Sequence, residues 1–458
     1  MTLWDPFNAW PKGRRWIWAV LAGLVCLTQG PKFISELRPA RDRWTDFFQE
    51  WASARNYACG LPIYSDHQFA VERHLGYYDD APLPNVHRAA YFIKVNAHPP
   101  TAILLVLPLA SLDYPDAVLV WNLVSLGALF VSLWLVARAL AIPLSVWSVP
   151  PLIVLLLLCN PFREQVYWGQ LNLILLLLLT GTWISHRSNQ PIAAGILLGL
   201  AAAIKLFPAF LFLFFLLRRQ WKTLAAGMLS FLAMVVLAAA VLGMNNYWVY
   251  VHEVIPQLAV YRSGLDNASL PSLWTKLFNP SGTRVEPLWI NPILAQVGTW
   301  LSCGFVVAVL AWLTLREEDA EGEDRAFALT VTAMLLVSPI TWNHYLLLLL
   351  VPLAVAWTRL TADSLTRWTF VAIGFFLCAC PVLIYQTFNP QSTEITVATA
   401  WQTLYLLALP CYAMLGLFAL LAKLPPLSDS RGVVVEEADS SRPTADLVAR
   451  ATLPCSSA

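Results

Sequence analysis

The sequence contains little charge. Only 12% of its 458 residues are Asp, Glu, Lys or Arg and 58% are hydrophobic, whereas about a quarter of the residues in an ordinary soluble domain are charged. This composition excludes a water-soluble globular protein. The formal net charge is +1 and no basic face stands out, so nothing in the sequence predicts binding to nucleic acid.

The sequence also lacks the patterns of disulfide-rich and metal-binding proteins. Of its eight cysteines, seven lie in apolar runs or in the C-terminal tail, and Cys59 lies in a polar loop. Neither a disulfide framework nor a CxxC zinc site is therefore predicted. The chain has no Asp-x-Asp pair and no internal repeat of fixed period. We predict that the protein uses no metal and no cofactor.

What the sequence has in abundance is apolar stretches with short breaks between them. Several are shorter than the roughly 20 residues that cross a bilayer, and short, broken spans are tolerated where protein or water receives the exposed backbone. The chain is therefore predicted to be an all-α polytopic membrane protein of about 10–12 transmembrane helices, with a site inside the membrane. The apolar runs are residues 16–30, 98–112, 117–137, 144–159, 171–185, 191–217, 223–243, 293–315, 326–340, 343–358, 368–388 and 397–422.

The basic residues between the runs predict the orientation. Counting twelve spans places nearly all of these residues on one side, which the positive-inside rule makes the cytoplasmic side. Arg138 and Arg187 break the pattern, and the pairs of runs within 98–137 or 144–185 could instead be re-entrant. The residues that fit are Lys12, Arg14, Arg15, Arg218, Arg219, Lys222, Arg316, Arg325, Arg359, Arg367 and Lys423.

This orientation divides the chain into a transmembrane domain and a tail. The predicted domain is 1–423, with a large first extracytoplasmic loop at 31–97 and a second at 244–292. The N-terminal stretch resembles a signal peptide, but no small-residue cleavage site follows it, so a retained first span is expected. Residues 424–458 contain Ser, Pro and acidic residues and are predicted to be a disordered cytoplasmic tail.

The first loop is the most polar region of the chain. Between Pro31 and His98 it carries eight acidic residues, eight basic residues and four of the seven histidines, with aromatic residues interleaved. A helix is predicted from about Trp44 to Cys59, closed by Gly60. We therefore expect a small structured cap rather than a flexible linker.

Two carboxylates of this loop are candidate catalytic groups. Asp46 and Glu50 are four residues apart and share one helical face. Paired carboxylates on one face suit general-base work on a hydroxyl group. In the alternative interpretation both are solvated charges that pair with Arg43 or Arg55.

Polar residues beside three apolar runs are further candidates. His98 could donate to a phosphate or shuttle a proton, or it could merely lie near the start of a helix that the next two prolines begin. Gln170 and Asn172 lie between two short runs, where buried amides are costly unless they are satisfied or functional. Alternatively, Gly169 locks a turn between two helices there, and the two interpretations are compatible.

Lys205 is an isolated charge near the middle of the 27-residue run 191–217. An ammonium group at that depth is costly and needs an anionic partner. A lipid phosphate is the obvious candidate. In the alternative interpretation Lys205 snorkels toward the interface or pairs within the protein.

Two further polar groups fall on the predicted outer side. Asn343 and His344, at the outer end of two spans, suit contact with a phosphate or a sugar, although the aromatic residues beside them could be ordinary interfacial anchors. Asn267 and Ser269, in the second outer loop, formally make a glycosylation sequon. These two residues, with Glu50, are secondary site candidates.

Taken together, these residues resemble glycosyltransferase family 87, the polyprenol-phosphate-mannose-dependent mannosyltransferase-like proteins with a GT-C membrane fold. The likeness covers about residues 40–360 and rests on six motifs in the right order. The motifs are Asp46-Phe-Phe with Gly60-Leu-Pro-Ile-Tyr64, His98-Pro99-Pro100 with Leu107-Pro108-Leu109, Gly169-Gln170-Leu-Asn172, the stretch from Ala194 to Pro208 with Arg218-Arg219, Asn267-Ala-Ser269-Leu270, and Ser338-Pro339-Ile-Thr-Trp342-Asn343-His344.

The resemblance implies an inverting glycosyltransferase of the cell membrane, with its active site on the extracytoplasmic face. It implies that Asp46 is the catalytic base and that His344 lies near the donor phosphate. A hexose, expected to be mannose, would pass from a polyprenyl-phosphate donor to a lipid-linked or envelope glycan acceptor. Because the donor is hydrophobic, the pocket is expected to open sideways into membrane lipid.

Two motifs depart from the family pattern. The family often has Trp-Asp-His-His where this chain has Trp342-Asn343-His344-Tyr345, and Asn-Gln-Ser-Leu where this chain has Ala268 in second place. The first departure leaves one fewer ionisable group. Neutralisation of the donor phosphate could then fall to Lys205, Arg41 or Arg43, the last two being cations of the first loop.

Two other functions fit part of the sequence. A transporter or flippase of lipid-linked sugars also has intramembrane charges and broken helices, but no inverted repeat is visible here and the first loop is large. A sugar-binding component of an envelope complex would bind the lipid donor without turning it over.

Overall fold

The computed structural model describes residues 9–41, 43–76, 94–281, 284–316, 320–360, 363–388 and 397–424. Part of the first loop, at 77–93, and the predicted tail from residue 425 onward lie outside these ranges. Within them every regular element is a helix, apart from one isolated bridge between Val285 and Ala398. The predicted all-α fold is confirmed.

The α-helices of the described ranges follow one another with short connections. They are α1 (Lys12–Leu37), α2 (Phe47–Ala58), α3 (His67–Leu75), α4 (Pro100–Val106), α5 (Tyr114–Ala139), α6 (Val149–Leu158), α7 (Asn160–Trp168), α8 (Asn172–Arg187), α9 (Pro191–Ile204), α10 (Phe212–Leu217), α11 (Trp221–Leu242), α12 (Asn245–Val249), α13 (Ile255–Gln257), α14 (Leu270–Phe278), α15 (Pro292–Arg316), α16 (Ala320–Val337), α17 (Leu350–Thr358), α18 (Ser364–Phe388), α19 (Ala400–Gln402) and α20 (Leu409–Lys423). Tighter 3-10 turns occupy Leu107–Leu109, Val146–Ser148, Phe207–Leu211, Leu258–Ser263 and Asn343–Leu349, and π-helical turns occupy Tyr250–Val254 and Thr403–Leu407.

Several of these helices are long and apolar enough to cross a bilayer. By length and composition α1, α5, α11 and α15 qualify alone, and two helix pairs bent by 65° and 43° bring the number in the described ranges to six. Shorter apolar helices, such as α9 and the segment 343–358, account for other runs. The protein is therefore a polytopic membrane protein with the broken helices that the sequence predicts. The total of ten to twelve spans stays a prediction.

The run 191–217 is a hairpin rather than one continuous helix. Helix α9 ends at Ile204, because Lys205 has an extended backbone with φ −140° and ψ 140°, and the chain then turns back through Phe207–Leu217. Both ends of the segment lie together: the ring of His186, just before it, contacts the rings of Phe214 and Phe215 with centroids 5.3 and 5.6 Å apart. We call residues 191–217 the Lys205 hairpin.

A cluster of charges joins the two ends of the hairpin. Arg187 donates a hydrogen bond to Asp324, and Arg218 donates one to Glu323 at 2.5 Å. Arg359 Nη2 lies 3.7 Å from the same Asp324 carboxylate. Since the ends of α8, α10 and α17 all meet α16 here, Arg187 lies on the same side as the arginines predicted to be cytoplasmic. The sequence count, which set Arg187 apart, was wrong on this point because it treated the hairpin as a crossing.

The run 98–112 also begins and ends on the same side of the protein. It packs along α2 of the first loop, so that Arg55 donates to the Ala110 carbonyl at 2.7 Å and Trp51 to the Leu112 carbonyl at 3.1 Å. The next helix, α5, begins beside the first loop, where the Tyr114 hydroxyl accepts a hydrogen bond from the backbone of Thr45 at 2.8 Å. The start and the end of this run therefore lie on one side of the protein.

Small residues let the hairpin pack closely on α11. A Cβ atom added at Gly195 would lie 2.4 Å from the Thr223 carbonyl, and one added at Gly199 would lie 2.3 Å from the Gly227 carbonyl. Glycine allows this close approach of backbones, which is a common way for helices to associate inside membranes. The packing fixes α9, and with it the position of Lys205.

Candidate active site

Asp46 lies directly before α2, in the position where an aspartate often caps a helix. Its side chain makes no capping hydrogen bond and instead accepts one from Gln170 Nε2 at 2.6 Å. The following residues fix this direction, because Phe47 stacks on Trp121 and both Phe47 and Phe48 are fully buried. The helix predicted from Trp44 to Cys59 is thus found as α2, with the carboxyl group of Asp46 facing a distant part of the chain.

Gly169 brings Gln170 to this carboxyl group. It ends α7 with φ +64°, and a Cβ atom there would lie 2.7 Å from Cβ of Phe47, so glycine meets both the backbone conformation and the close contact. Gln165 secures the turn, since its side chain donates to the Gln170 carbonyl and accepts from Asn172 Nδ2 at 3.1 Å. The locked turn that the sequence offered as one interpretation is therefore present, and the site role of Gln170 and Asn172 stays a prediction.

Lys205 lies at the tip of its hairpin and is 5% exposed. Its Nζ lies 3.2 Å from Gln170 Oε1, 3.3 Å from Asn172 Oδ1 and 3.3 Å from Tyr345 Oη. All three partners are uncharged, although an anionic partner was expected. Since the ammonium group ends inside the protein, the snorkelling interpretation is wrong and internal pairing is what the structure has.

Glu50 pairs with His98 rather than with an arginine. It is 2% exposed and hydrogen-bonds to Nδ1 of His98. Asn96 positions the histidine, because its side chain donates to the Gln49 carbonyl at 3.0 Å and accepts from the backbone N–H of His98 at 2.8 Å. The alternative of a solvated Glu50 is therefore wrong.

Arg41 and Arg43, the two first-loop cations predicted to bind the donor phosphate, lie in different surroundings. The guanidinium of Arg43 lies over the ring of Tyr167, 4.1 Å from its centroid, whereas Arg41 is exposed. Arg55, which the sequence offered as a partner for the carboxylates, donates instead to the carbonyls of Ala110 and Leu112. Arg41 and Arg43 remain predicted phosphate ligands.

His344 and Asn343 lie beside Glu164 of α7. They are 5% and 1% exposed, and neither ring nitrogen of His344 makes a hydrogen bond. His344 Nδ1 is 3.9 Å from a carboxylate oxygen of Glu164, which Asn160 holds at 2.6 Å. The amide of Asn343 faces Glu164 but lies outside normal hydrogen-bond geometry. These unsatisfied polar atoms favour a polar ligand here.

Asn267 and Ser269 hold two loops together. Asn267 donates to the Pro339 carbonyl at 3.0 Å and accepts from the Thr341 N–H at 3.0 Å. Ser269 caps α14 by accepting from the Ser272 N–H at 3.2 Å. Their polar atoms are used within the protein, so they support the segment that leads to Asn343 and His344 instead of facing the other candidates.

Sequence reasoning missed two residues of this region. Tyr345 was taken for an interfacial anchor, but it contacts Lys205 and stacks on Phe207 with centroids 5.1 Å apart. Glu164 was not named as a candidate. Its position beside His344, 180 residues away in the chain, is not encoded in any local pattern. A carboxylate in an apolar surrounding was the one available signal.

The surroundings of Asp46 tune its acidity. The pKa of its carboxyl group is raised to about 7. Burial is the largest cause and the charges of Glu50 and Glu164 act in the same direction, whereas the Gln170 hydrogen bond and the Lys205 charge act against them. A carboxyl group that titrates near neutral pH can accept a proton from a hydroxyl group and return it to solvent. The arrangement is suited to general-base catalysis beside a buried cation.

Comparison with known proteins identifies the family. Residues 96–339, more than half of the chain, match glycosyltransferase family 87. The chain belongs to glycosyltransferase family 87. The matched segment contains His98, Gln170 and Lys205, whereas His344 lies five residues after it and Asp46 lies fifty residues before it.

The similar proteins include glycosyltransferases of mycobacteria and of a corynebacterium. One is the polyprenol-phosphate-mannose-dependent alpha-(1-2)-phosphatidylinositol mannoside mannosyltransferase of Mycolicibacterium smegmatis, 28% identical over 54% of this chain and 54% of that protein. The protein of the same name from Mycobacterium tuberculosis is 27% identical over 54% of this chain and 58% of its own.

A third relative acts on a different sugar. The alpha-(1->3)-arabinofuranosyltransferase of Corynebacterium glutamicum is 28% identical over 64% of this chain and 61% of its own. The chain thus spans about half to three fifths of the length of these relatives. No solved structure matches it.

Proposed function

We propose that this protein is an inverting membrane glycosyltransferase that moves a hexose, mannose in the first instance, from a polyprenyl-phosphate donor to a glycan or glycolipid acceptor. The family and the activities named for the relatives support the reaction class. The observation that carries the proposal is the partly buried carboxyl group of Asp46, held by Gln170 on the side of the buried Lys205.

The proposed reaction is a single displacement. Asp46 accepts the proton of the acceptor hydroxyl, whose oxygen attacks the anomeric carbon of a β-linked donor. The bond between that carbon and the phosphate oxygen breaks, and the polyprenyl phosphate leaves with one more negative charge. Attack from the opposite face gives an α-linked product. The α linkages named for the relatives agree with this outcome.

The leaving phosphate needs donors that stabilise its developing charge. His344 and Asn343 have unsatisfied buried polar atoms and are the best supported ligands. His98 offers its second ring nitrogen, and Arg41 and Arg43 are the first-loop guanidinium groups proposed to complete the set. The phosphate then leaves without being protonated.

We propose that the site opens on the extracytoplasmic side of the cell membrane. The positive-inside rule supports this orientation, since Arg187, Arg218 and Arg359 gather at the end of the protein remote from Asp46. A transporter would also fit a broken, charged helix, but the family and the relatives favour a transferase.

The experiment uses purified protein in lipid nanodiscs with radiolabelled polyprenyl-phosphate sugars and a membrane extract as acceptor source. We expect transfer of mannose, and a loss on the order of 10²–10⁴-fold in Asp46→Asn, since general-base catalysis contributes about that much. Asp116→Asn, which removes an exposed carboxylate paired with Arg38, is the matched control and keeps its activity.

Two results would contradict the proposal. Full transfer by Asp46→Asn would remove Asp46 from the reaction. Movement of lipid-linked sugar across proteoliposomes by both the natural protein and Asp46→Asn, with no transfer by either, would assign the protein to the transporters.

A further inference from the structure

Lys205 has no N–H group left for a ligand. A lysine ammonium has three N–H donors, and its three hydrogen bonds go to Gln170, Asn172 and Tyr345. A donor phosphate could displace one of them only by leaving a buried acceptor without a hydrogen bond, which is unfavourable. Direct binding of phosphate is therefore a poor use of this side chain as it stands.

The contact with Lys205 determines how the Gln170 amide is turned. Because an ammonium group can only donate, the atom that faces it must be the amide oxygen, Oε1. The amide nitrogen, Nε2, is then turned toward Asp46, to which it donates at 2.6 Å. The cation and the carboxyl group are thus linked through one side chain whose two ends cannot be exchanged.

We propose that Lys205 and Gln170 are positioning residues for Asp46 and not ligands of the donor: Lys205 fixes the Gln170 amide, and Gln170 holds the carboxyl group in place and in its ionised form. This inference rests on the proposed function, in which Asp46 is the base. It gives a reason for the Lys205 hairpin. The tip of the hairpin places the Lys205 ammonium group beside Gln170, which in turn contacts the carboxyl group of Asp46.

The electrostatic surroundings of Asp46 make this support necessary. Burial and two carboxylates, Glu50 in α2 and Glu164 in α7, oppose its ionisation, while the Gln170 hydrogen bond and the Lys205 charge favour it. Tyr114 in α5 and Tyr345 also lie close enough to interact with its charge. Removing either supporting group therefore raises the pKa of Asp46 above about 7 and leaves less of the base at neutral pH.

The test is the pH dependence of kcat/KM in Gln170→Met and Lys205→Met. In the natural protein we expect the acid side of the profile to have its midpoint near 7, and in each variant to move up by on the order of one unit, so that transfer falls about tenfold at pH 6 and little at pH 9. The affinity for the donor, measured with a non-hydrolysable phosphonate analogue, stays within about twofold, because an indirect residue makes no donor contact.

Conservative variants keep the test usable if a methionine variant does not fold. Lys205→Arg keeps a cation with N–H donors and should keep the natural midpoint, whereas Gln170→Glu keeps the contact with Lys205 but places a third carboxylate beside Asp46 and should raise the midpoint. Lys32→Met removes an ammonium that is 63% exposed on α1 and serves as the matched control, with an unchanged profile.

A measurement without turnover separates this inference from the proposed function. The infrared band of the protonated Asp46 carboxyl group, isolated by subtracting the Asp46→Asn spectrum, gives its titration directly. A midpoint that rises in both methionine variants supports the inference even if no transfer is found, in which case the proposed function fails alone. An unchanged midpoint together with weakened binding of the donor analogue would overturn the inference and make Lys205 and Gln170 donor ligands.

Discussion

The sequence singles out Asp46 as a candidate base, which stays a prediction, but it does not reveal the partners of its carboxyl group. Helical spacing places Asp46 and Glu50 on one face, but α2 begins after Asp46, so the two carboxyl groups turn to Gln170 and His98 respectively. Lys205 and its partner Gln170 are both candidates from the sequence, yet they are 35 residues apart. Spacing identifies costly polar residues in apolar surroundings, and only the packing of helices decides which of them meet.

Gly169 allows a prediction at the scale of one residue. In Gly169→Ala the new Cβ atom would lie 2.7 Å from Cβ of Phe47, at a backbone φ of +64°. We expect a loss of stability of about 1–3 kcal/mol and a loss of transfer, because Gln170 would move away from Asp46. Thermal unfolding in detergent and the transfer assay measure the two effects.

A second glycine is the control for backbone strain alone. Gly76 has φ +75°, but a Cβ atom there meets nothing within 4 Å. Gly76→Ala should therefore cost about 1 kcal/mol and leave transfer unchanged. Equal effects of the two substitutions would mean that the contact with Phe47 does not matter.

At the scale of the element, the Lys205 hairpin depends on its packing against α11. Gly199→Ala would put a Cβ atom 2.3 Å from the Gly227 carbonyl oxygen. Because each of these atoms is fixed to the backbone of a helix, the two helices must separate. We expect a lower unfolding temperature, from about 1–3 kcal/mol of overpacking, and reduced transfer because the tip shifts. Gly127→Ala, in α5, where a Cβ atom meets nothing within 4 Å, should behave like the natural protein.

The elements themselves were partly predictable. The first-loop helix was expected over Trp44–Cys59 and is found at Phe47–Ala58, because capping and turn signals mark its ends. The run 191–217 was expected as a single span, since hydrophobicity does not register a chain reversal. The break is in the backbone of Lys205, and a lone lysine can equally well occur within a continuous helix.

At the scale of the whole molecule, the two returning runs change the number of crossings. If 98–112 and the Lys205 hairpin do not cross, ten of the twelve apolar runs remain, and Arg138 as well as Arg187 moves to the cytoplasmic side. Helix α5 supports this, because it starts beside Thr45 and its 26 residues extend about 39 Å. All the basic residues used to orient the chain then obey the positive-inside rule.

Accessibility of introduced cysteines tests this arrangement. In a chain whose exposed Cys26 and Cys59 and whose tail Cys455 are replaced by serine, we expect Ser111→Cys to react with a membrane-impermeant maleimide in intact cells. Ser188→Cys should react only after the membrane is opened. Both serines are exposed, and twelve crossings would give the opposite pattern at both positions.

The Lys205 hairpin also has a consequence for how such a chain can change. A segment that begins and ends on the same side of the membrane does not count as a crossing. Its gain, loss or replacement therefore leaves the orientation of every later helix unchanged. Loss of one crossing helix, in contrast, would invert everything that follows. The cation beside Gln170 is therefore carried by a segment whose change need not alter the orientation of the helices that follow it.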